Sequence, residues 1–117
     1  MNHKPLSIQS KNFNILMDCT ILNCKQDNNN LQIYCDFFDE ANDKYVNFTL
    51  FINNCSKILE DNVLIDKFCT YLTEGSVGVY NISDNSLILV TEWVSYQPRE
   101  SLVHVYEFFS DDIYITF

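Results

Sequence analysis

Apolar side chains recur at every second position in three consecutive segments of the first half of the chain. Alternation with a period of two is typical of β-strands, whose successive side chains point to opposite faces of a sheet. Two polar stretches, QDNNN at 26–30 and DEAND at 39–43, separate the segments, and their Asn and Asp residues favour tight turns. The pattern therefore predicts an antiparallel meander of three strands. The predicted strands are 12–25, 31–38 and 44–53.

The period changes to three and four in residues 60–74, which is the spacing of one face of an α-helix. The apolar side chains that repeat are Leu64, Phe68 and Leu72. Asp61 suits the N-cap position of such a helix, and Gly75 suits the left-handed residue that often ends one. We therefore predict one main helix in this segment.

The second half of the chain returns to the two-residue period. It predicts strands at 76–82, 87–96 and 101–109, with an additional short strand at 113–117. The order βββαβββ(β) predicts an α+β fold, in which one antiparallel sheet of six to seven strands packs against one main helix. A chain of 117 residues fits a single domain, 1–117, and we expect 1–11 to form a loose lead-in.

Several predicted strands carry large apolar side chains on both faces. Tyr34 and Phe38 alternate with Cys35 and Phe37, and a similar pattern surrounds Trp93. One helix can cover only one face of a sheet, so the second face needs another cover. We expect a strongly curved sheet that approaches a half-barrel, or a second chain such as the twin subunit of a homodimer.

The charge is strongly negative, because 16 Asp and Glu residues outnumber 7 Lys and Arg residues and give a formal net charge of −9. Nucleic acids and anionic membranes bind through cationic side chains, so neither is an expected partner. A basic protein partner fits this charge better. The alternative is that the acids only keep an aromatic-rich domain soluble.

The cysteines and the N-terminus bear on the compartment. The five cysteines form no C-x-x-C pair, which argues against a zinc framework, and most of them occupy apolar-face positions. Buried free thiols indicate a reducing compartment. Residues 1–10 lack the apolar core of a signal peptide, and we expect a cytoplasmic protein.

Candidates for catalysis are few. His104 stands in the middle of a predicted strand, and the sequence places no evident nucleophile beside it. Cys69 lies inside the predicted helix, where packing is the expected role. The chain has two glycines and no phosphate-binding glycine loop. Asp39, Glu40 and Asp43 lack the spacing of a calcium-binding loop. We therefore predict no enzymatic activity, no cofactor and no metal.

The acids are clustered, and the largest cluster contains two aromatic residues that share its outward face. Aromatic side chains supply rigid contact area, and carboxylates around them suit a basic protein ligand. We predict that a partner contacts one set of residues on this basis. The set is Tyr34, Asp36, Phe38, Asp39, Glu40, Asp43, Asp111 and Asp112.

Three functional hypotheses follow. Small size, acidity and aromatic content are similar to those of bacterial immunity proteins as a class, and predict an inhibitor that occupies or flanks the basic cleft of a cytotoxic, nuclease-type enzyme. A phage or mobile-element inhibitor that mimics nucleic acid has the same profile. The third hypothesis is a small enzyme or ligand carrier with a pocket lined by Trp93, Tyr106 and Phe108.

Overall fold

The computed structural model describes residues 10–68, 74–96 and 99–117. Within these ranges a 3₁₀ helix, Ser10–Leu16, precedes nine strands that form one antiparallel sheet. The strands are β1 (Thr20–Asp27), β2 (Asn30–Asp39), β3 (Lys44–Asn53), β4 (Lys57–Glu60), β5 (Val63–Ile65), β6 (Glu74–Ile82), β7 (Ser86–Tyr96), β8 (Arg99–Phe109) and β9 (Asp112–Thr116). Their order across the sheet is β5-β4-β8-β7-β6-β1-β2-β3-β9.

The predicted α+β fold, with one main helix and a sheet of six to seven strands, is wrong. The described part of the chain contains no α-helix, and β4 and β5 extend the sheet to nine strands. Asp61 is not an N-cap: Asp61 and Asn62 have φ of 52° and 68° and make the tight turn between β4 and β5. Asn and Asp tolerate this left-handed conformation, which two-residue hairpin turns require. The end of the predicted helix, 69–73, lies outside the described residues.

The helix prediction failed because Leu64 and Phe68, which set the helical spacing, do not lie on one buried face. Leu64 is 64% exposed on the outer side of β5, whereas Phe68 is 3% exposed and packs in the core. A real amphipathic helix would bury both side chains on one stripe. The repeat of three and four was therefore coincidental, and the hairpin turn determines the local structure.

The first predicted strand begins later than expected. Phe13 and Leu16 are both buried, although a strand would place residues three apart on opposite faces. A 3₁₀ helix has three residues per turn and brings both to the same side. The predicted antiparallel pairing is confirmed, and the third strand has the predicted bounds, 44–53.

The sheet folds over its own inner face. In a flat sheet β3 and β8, five positions apart, would be separated by about 24 Å. Instead, the Ser110 hydroxyl, just after β8, donates a hydrogen bond to the Asn53 carbonyl at the end of β3. The Ser56 N–H donates a hydrogen bond to the Phe109 carbonyl over 2.9 Å. The N–H of the preceding residue, Cys55, donates to the Asn29 carbonyl over 2.7 Å. These bonds hold the two halves of the sheet together at one corner.

The core lies on the inner face and is rich in aromatic rings. Trp93, Tyr106 and Phe108 are each 0% exposed. The Phe68 ring lies 4.8 Å from that of Tyr106 and 5.4 Å from that of Phe108, both edge-on. The three residues that the ligand-carrier hypothesis placed around a pocket are therefore packed core side chains. No helix in the described ranges is long and apolar enough to cross a membrane.

Gly75 allows the Trp93 ring to lie flat against β6. The two residues are cross-strand partners, and a Cβ at position 75 would overlap the benzene part of the indole. Gly78, in the same strand, sits at a bulge, and a Cβ there would meet only the Val90 carbonyl oxygen at 3.9 Å. The two glycines therefore differ in what they make room for.

We predict that Gly75→Ala lowers the free energy of unfolding by about 2–3 kcal/mol, because the methyl group forces the buried Trp93 ring out of its position. Gly78→Ala is the matched control and should change it by less than about 0.5 kcal/mol. Urea denaturation followed by Trp93 fluorescence measures both. Equal effects of the two substitutions would contradict this account of the β6–β7 contact.

The corner at Ser110 gives a second prediction. Its buried hydroxyl donates to Asn53 and accepts the Asp112 N–H over 3.0 Å. Ser110→Ala should cost about 1–3 kcal/mol, because both backbone partners lose a hydrogen bond where water has little access. Ser83→Ala, at the exposed turn between β6 and β7, should cost less than about 0.5 kcal/mol. A Ser110 variant as stable as the Ser83 variant would show that the corner does not depend on this side chain.

Candidate functional site

Two aromatic rings are exposed at the tip of the β2–β3 hairpin. Phe38 and Tyr45 are directly opposite each other, and their ring centroids are 5.2 Å apart in an edge contact. Phe38 is 45% exposed and Tyr45 is 69% exposed, on the outer face of the sheet. Their neighbour Phe37 points inward and packs on Phe48 at 5.9 Å. The alternation of β2 thus separates a core aromatic from a surface aromatic at adjacent positions.

Three carboxylates and one cation, the exposed Lys44, lie at the same end of the hairpin as this pair. Asp36 lies two residues before Phe38 on the same outer face, opposite Asn47. Glu40 and Asp43 are exposed in the turn, and Asp43 has φ of 53°. We call Phe38, Tyr45, Asp36, Glu40 and Asp43 the hairpin tip. The hairpin tip thus combines two exposed aromatic rings with three negatively charged carboxylates.

The Asp39 carboxylate has a structural role within the turn. Its carboxylate accepts hydrogen bonds from the Asn42 side-chain amide over 2.7 Å and from the Ala41 N–H over 3.1 Å. The Asn42 amide, more than any other group, holds the pKa of Asp39 below its usual value, so the carboxylate stays charged. Asp39 builds the turn that presents the hairpin tip.

Tyr34 lies on the outer face of β2 but contributes less to the tip. Its hydroxyl donates a hydrogen bond to the Gln32 side-chain oxygen over 3.0 Å, and the residue is half-buried. This bond points the phenol along the strand, away from the tip. Tyr34 therefore connects the hairpin tip to the surface farther along β2.

Asp111 and Asp112 are at the opposite end of the sheet. Asp112 pairs with Asn53, whereas the turn of the hairpin tip joins Lys44, nine residues earlier in β3 and about 30 Å away. The Asn53 side-chain amide donates to the Asp112 carboxylate over 3.4 Å. The eight predicted contact residues therefore lie on two separate surfaces.

An open groove of about 500 Å³ lies at this second end, on the outer face. One row across the strands forms its first side, from β1 to β9: Lys25, Gln32, Phe51 and Tyr114. A parallel row forms the second side: Asp27, Asn30, Asn53 and Asp112. We call this the cross-strand groove. The Phe51 and Tyr114 rings stack at 4.8 Å with an angle of 6° between their planes.

His104 belongs to a polar pair at the end of β4. Its Nδ1 lies 2.7 Å from the Asp61 carboxylate, whose other oxygen accepts the Val105 N–H over 2.8 Å. The Asp61 N–H in turn donates to the Val105 carbonyl over 2.8 Å. These contacts fix the β4–β5 turn against β8 and give His104 a structural role.

Two of the thiols are held in the protonated form. Cys19, Cys24, Cys35 and Cys55 are not joined in disulfides. A hydrogen bond with the Cys19 thiol and burial raise the pKa of Cys35, and burial raises that of Cys55, so both stay protonated. No group of three or more His, Cys, Asp or Glu side chains suited to a metal ion occurs in the described ranges. Cys69 lies outside those ranges.

Sequence reasoning missed Tyr45 and the groove. A four-residue turn at 40–43 in an antiparallel hairpin places Tyr45 opposite Phe38, so counting outward from the turn could have found it. The groove requires β9 beside β3, a pairing between segments about 60 residues apart in sequence. No local pattern indicates that contact.

The Asp61 contacts predict a pH effect. The Val105 N–H, followed by His104, holds the pKa of Asp61 below its ordinary value. A depressed carboxyl pKa stabilises the fold above the ordinary value of about 4, and this contribution is lost as the pH falls through the folded-state pKa. Asp61→Asn should therefore destabilise the protein at neutral pH, and its difference from wild type should shrink below about pH 4.

Denaturant unfolding of both proteins at a series of pH values measures this difference. Asp66→Asn removes the charge of another exposed aspartate near the same turn and is the control, with no comparable pH-dependent difference expected. A gap between wild type and Asp61→Asn that stays constant into acid would contradict the assignment.

No protein-family model, no curated protein and no solved structure matches the chain. The hairpin tip and the cross-strand groove are the surfaces whose geometry bears on function.

Proposed function

We propose that this protein binds a basic protein through the hairpin tip and acts as an immunity-type inhibitor of a cytotoxic, nuclease-type enzyme. The exposed Phe38–Tyr45 pair is the observation that supports this proposal. Two large aromatic side chains expose much of their surface while their mutual contact restricts their motion. Aromatic anchors of this kind dominate binding energy at protein interfaces.

The charges around the pair specify the kind of partner. Asp36, Glu40 and Asp43 outnumber the single cation Lys44 at this end of the hairpin, and the whole chain carries a formal charge of −9. A nuclease must attract phosphates, so its cleft is lined by Lys and Arg side chains. Carboxylates at the tip would steer the inhibitor to that cleft and speed association. The rings would then supply most of the affinity.

Hairpin geometry supports a rigid insertion. The capped turn at Asp39 and the complete β2–β3 register hold the tip in one conformation before binding. A preorganised surface loses little conformational entropy when it binds. A protruding hairpin also fits a concave cleft better than a flat surface.

The first test is affinity capture from a lysate of the source cells, with the wild-type protein and with Phe38→Ser/Tyr45→Ser immobilised in parallel. We expect wild type to retain a basic enzyme and the double variant to weaken its binding by about 30-fold or more, since two anchors are lost. Leu64→Ser/Val103→Ser, which changes two exposed apolar residues elsewhere, should bind as wild type does.

The second test measures the effect of the tip carboxylates on binding separately from that of the aromatic rings. Asp36→Asn/Glu40→Gln/Asp43→Asn should slow association about tenfold at low salt and have little effect at high salt. The control set changes the charge equally at other exposed positions: Asp66→Asn, Asp84→Asn and Glu100→Gln. Equal slowing by both sets would mean that net charge, and not the tip, attracts the partner. A captured enzyme that keeps full activity in the complex would rule out inhibition.

A further inference from the structure

We propose that the cross-strand groove is a second binding site, and that it accepts a short neutral oligosaccharide. The groove has a volume of about 500 Å³, within the range of small-molecule sites. It extends over four strands, or about 14 Å at the usual strand spacing. These dimensions suit an elongated ligand of a few sugar rings.

One side of the groove offers aromatic surface. Phe51 and Tyr114 stack on the outer face of β3 and β9, so each ring covers one face of the other. The second face of Phe51 lies on the side of Gln32, its cross-strand partner on β2, and is the face available to a ligand. The face of an aromatic ring is weakly negative and attracts the C–H groups that line one side of a pyranose. A sugar can therefore pack on this wall without an ionic contact.

Carboxamides provide the hydrogen bonds. Gln32, Asn30, Asn53 and Asn54 all line the groove. Gln32 accepts the Tyr34 hydroxyl with its oxygen, which leaves its NH₂ group to donate to a ligand. Asn30 uses its oxygen for the Asn54 N–H over 3.0 Å, so its NH₂ group is also oriented by the protein. Sugar hydroxyls both donate and accept, and amides complement them.

The charges in the groove favour a neutral ligand. Lys25 contributes +1 and Asp27 and Asp112 contribute −2, so the groove carries −1 of the formal −9 of the chain. Lys25 and Asp27 balance each other on β1, and Asp112 adds one negative charge on β9, so an anionic ligand would meet repulsion there. The hairpin tip, in contrast, has three carboxylates.

The two sites are independent. Phe51 follows Tyr45 by six residues in β3, or about 20 Å, and no groove residue belongs to the tip. Substitutions in the groove should leave binding of the basic protein unchanged. Failure of either proposal is therefore recognisable without reference to the other.

The test uses isothermal titration of the full chain with three neutral trisaccharides, made of glucose, galactose or N-acetylglucosamine. We expect at least one to bind at one site per chain, with an affinity that does not change between low and high salt. Phe51→Val should weaken this binding about tenfold through loss of the aromatic face. Gln32→Met, which keeps the shape of the side chain and removes the amide, should weaken it about fivefold.

Val103→Ala, on the outer face of β8, is the matched control and should bind as wild type does. Circular dichroism establishes whether each variant is folded. If Phe51→Val is unfolded, the trisaccharide affinity of Gln32→Met tests the site instead. The proposal is overturned if none of the three trisaccharides binds, or if neither groove variant weakens binding. A different result would assign the groove to a cationic peptide. In that case no trisaccharide binds, a triarginine peptide binds in a salt-sensitive way, and Phe51→Val abolishes the binding of the peptide.

Discussion

The reciprocal exchange of strands at one corner is the constraint on which this fold depends. β3 continues into β4, which pairs with β8, while β8 continues into β9, which pairs with β3. The strand that follows β3 and the strand that follows β8 therefore each pair in the other half of the sheet. A flat sheet cannot satisfy both pairings, because the two strands would be about 24 Å apart. The sheet must close over its inner face, and the apolar residues there supply the cover that the predicted helix was expected to provide.

The closure also determines what the outer face can be used for. The inner face is filled by side chains such as Trp93 and Phe108, and the hairpin tip and the cross-strand groove both lie on the outer face. One outward row across β6, β7 and β8 is aliphatic and consists of Val79, Val90 and Val105, which are good strand formers. The outward row across β1, β2, β3 and β9 consists instead of Lys25, Gln32, Phe51 and Tyr114, whose charged, amide and aromatic groups offer polar and ring contacts.

Local patterns predicted the β1–β2 and β2–β3 hairpins, missed the β4–β5 hairpin and indicated none of the distant pairings. Alternation placed Phe37 inward and Phe38 outward, whereas β1 extends two residues beyond its predicted end and β2 one residue beyond each of its predicted ends. The helix failed because Leu64 and Phe68 satisfied a helical spacing while Asp61 and Asn62 formed a turn between them and β4. The groove depends on β9 reaching β3, which only the closed sheet shows. Long-range contacts carry no signature in a window of ten residues.

The acids of the β2–β3 turn differ in what their carboxylates contact. The Asp39 carboxylate is committed to the Ala41 and Asn42 amides, and this bond fixes the turn that holds Phe38 and Tyr45 in contact. Glu40 and Asp43 remain exposed beside it. A sequence count treats all of these carboxylates alike, yet one orders the surface and the others face the solvent. The Asp39 carboxylate therefore orders the turn beside the Phe38–Tyr45 pair.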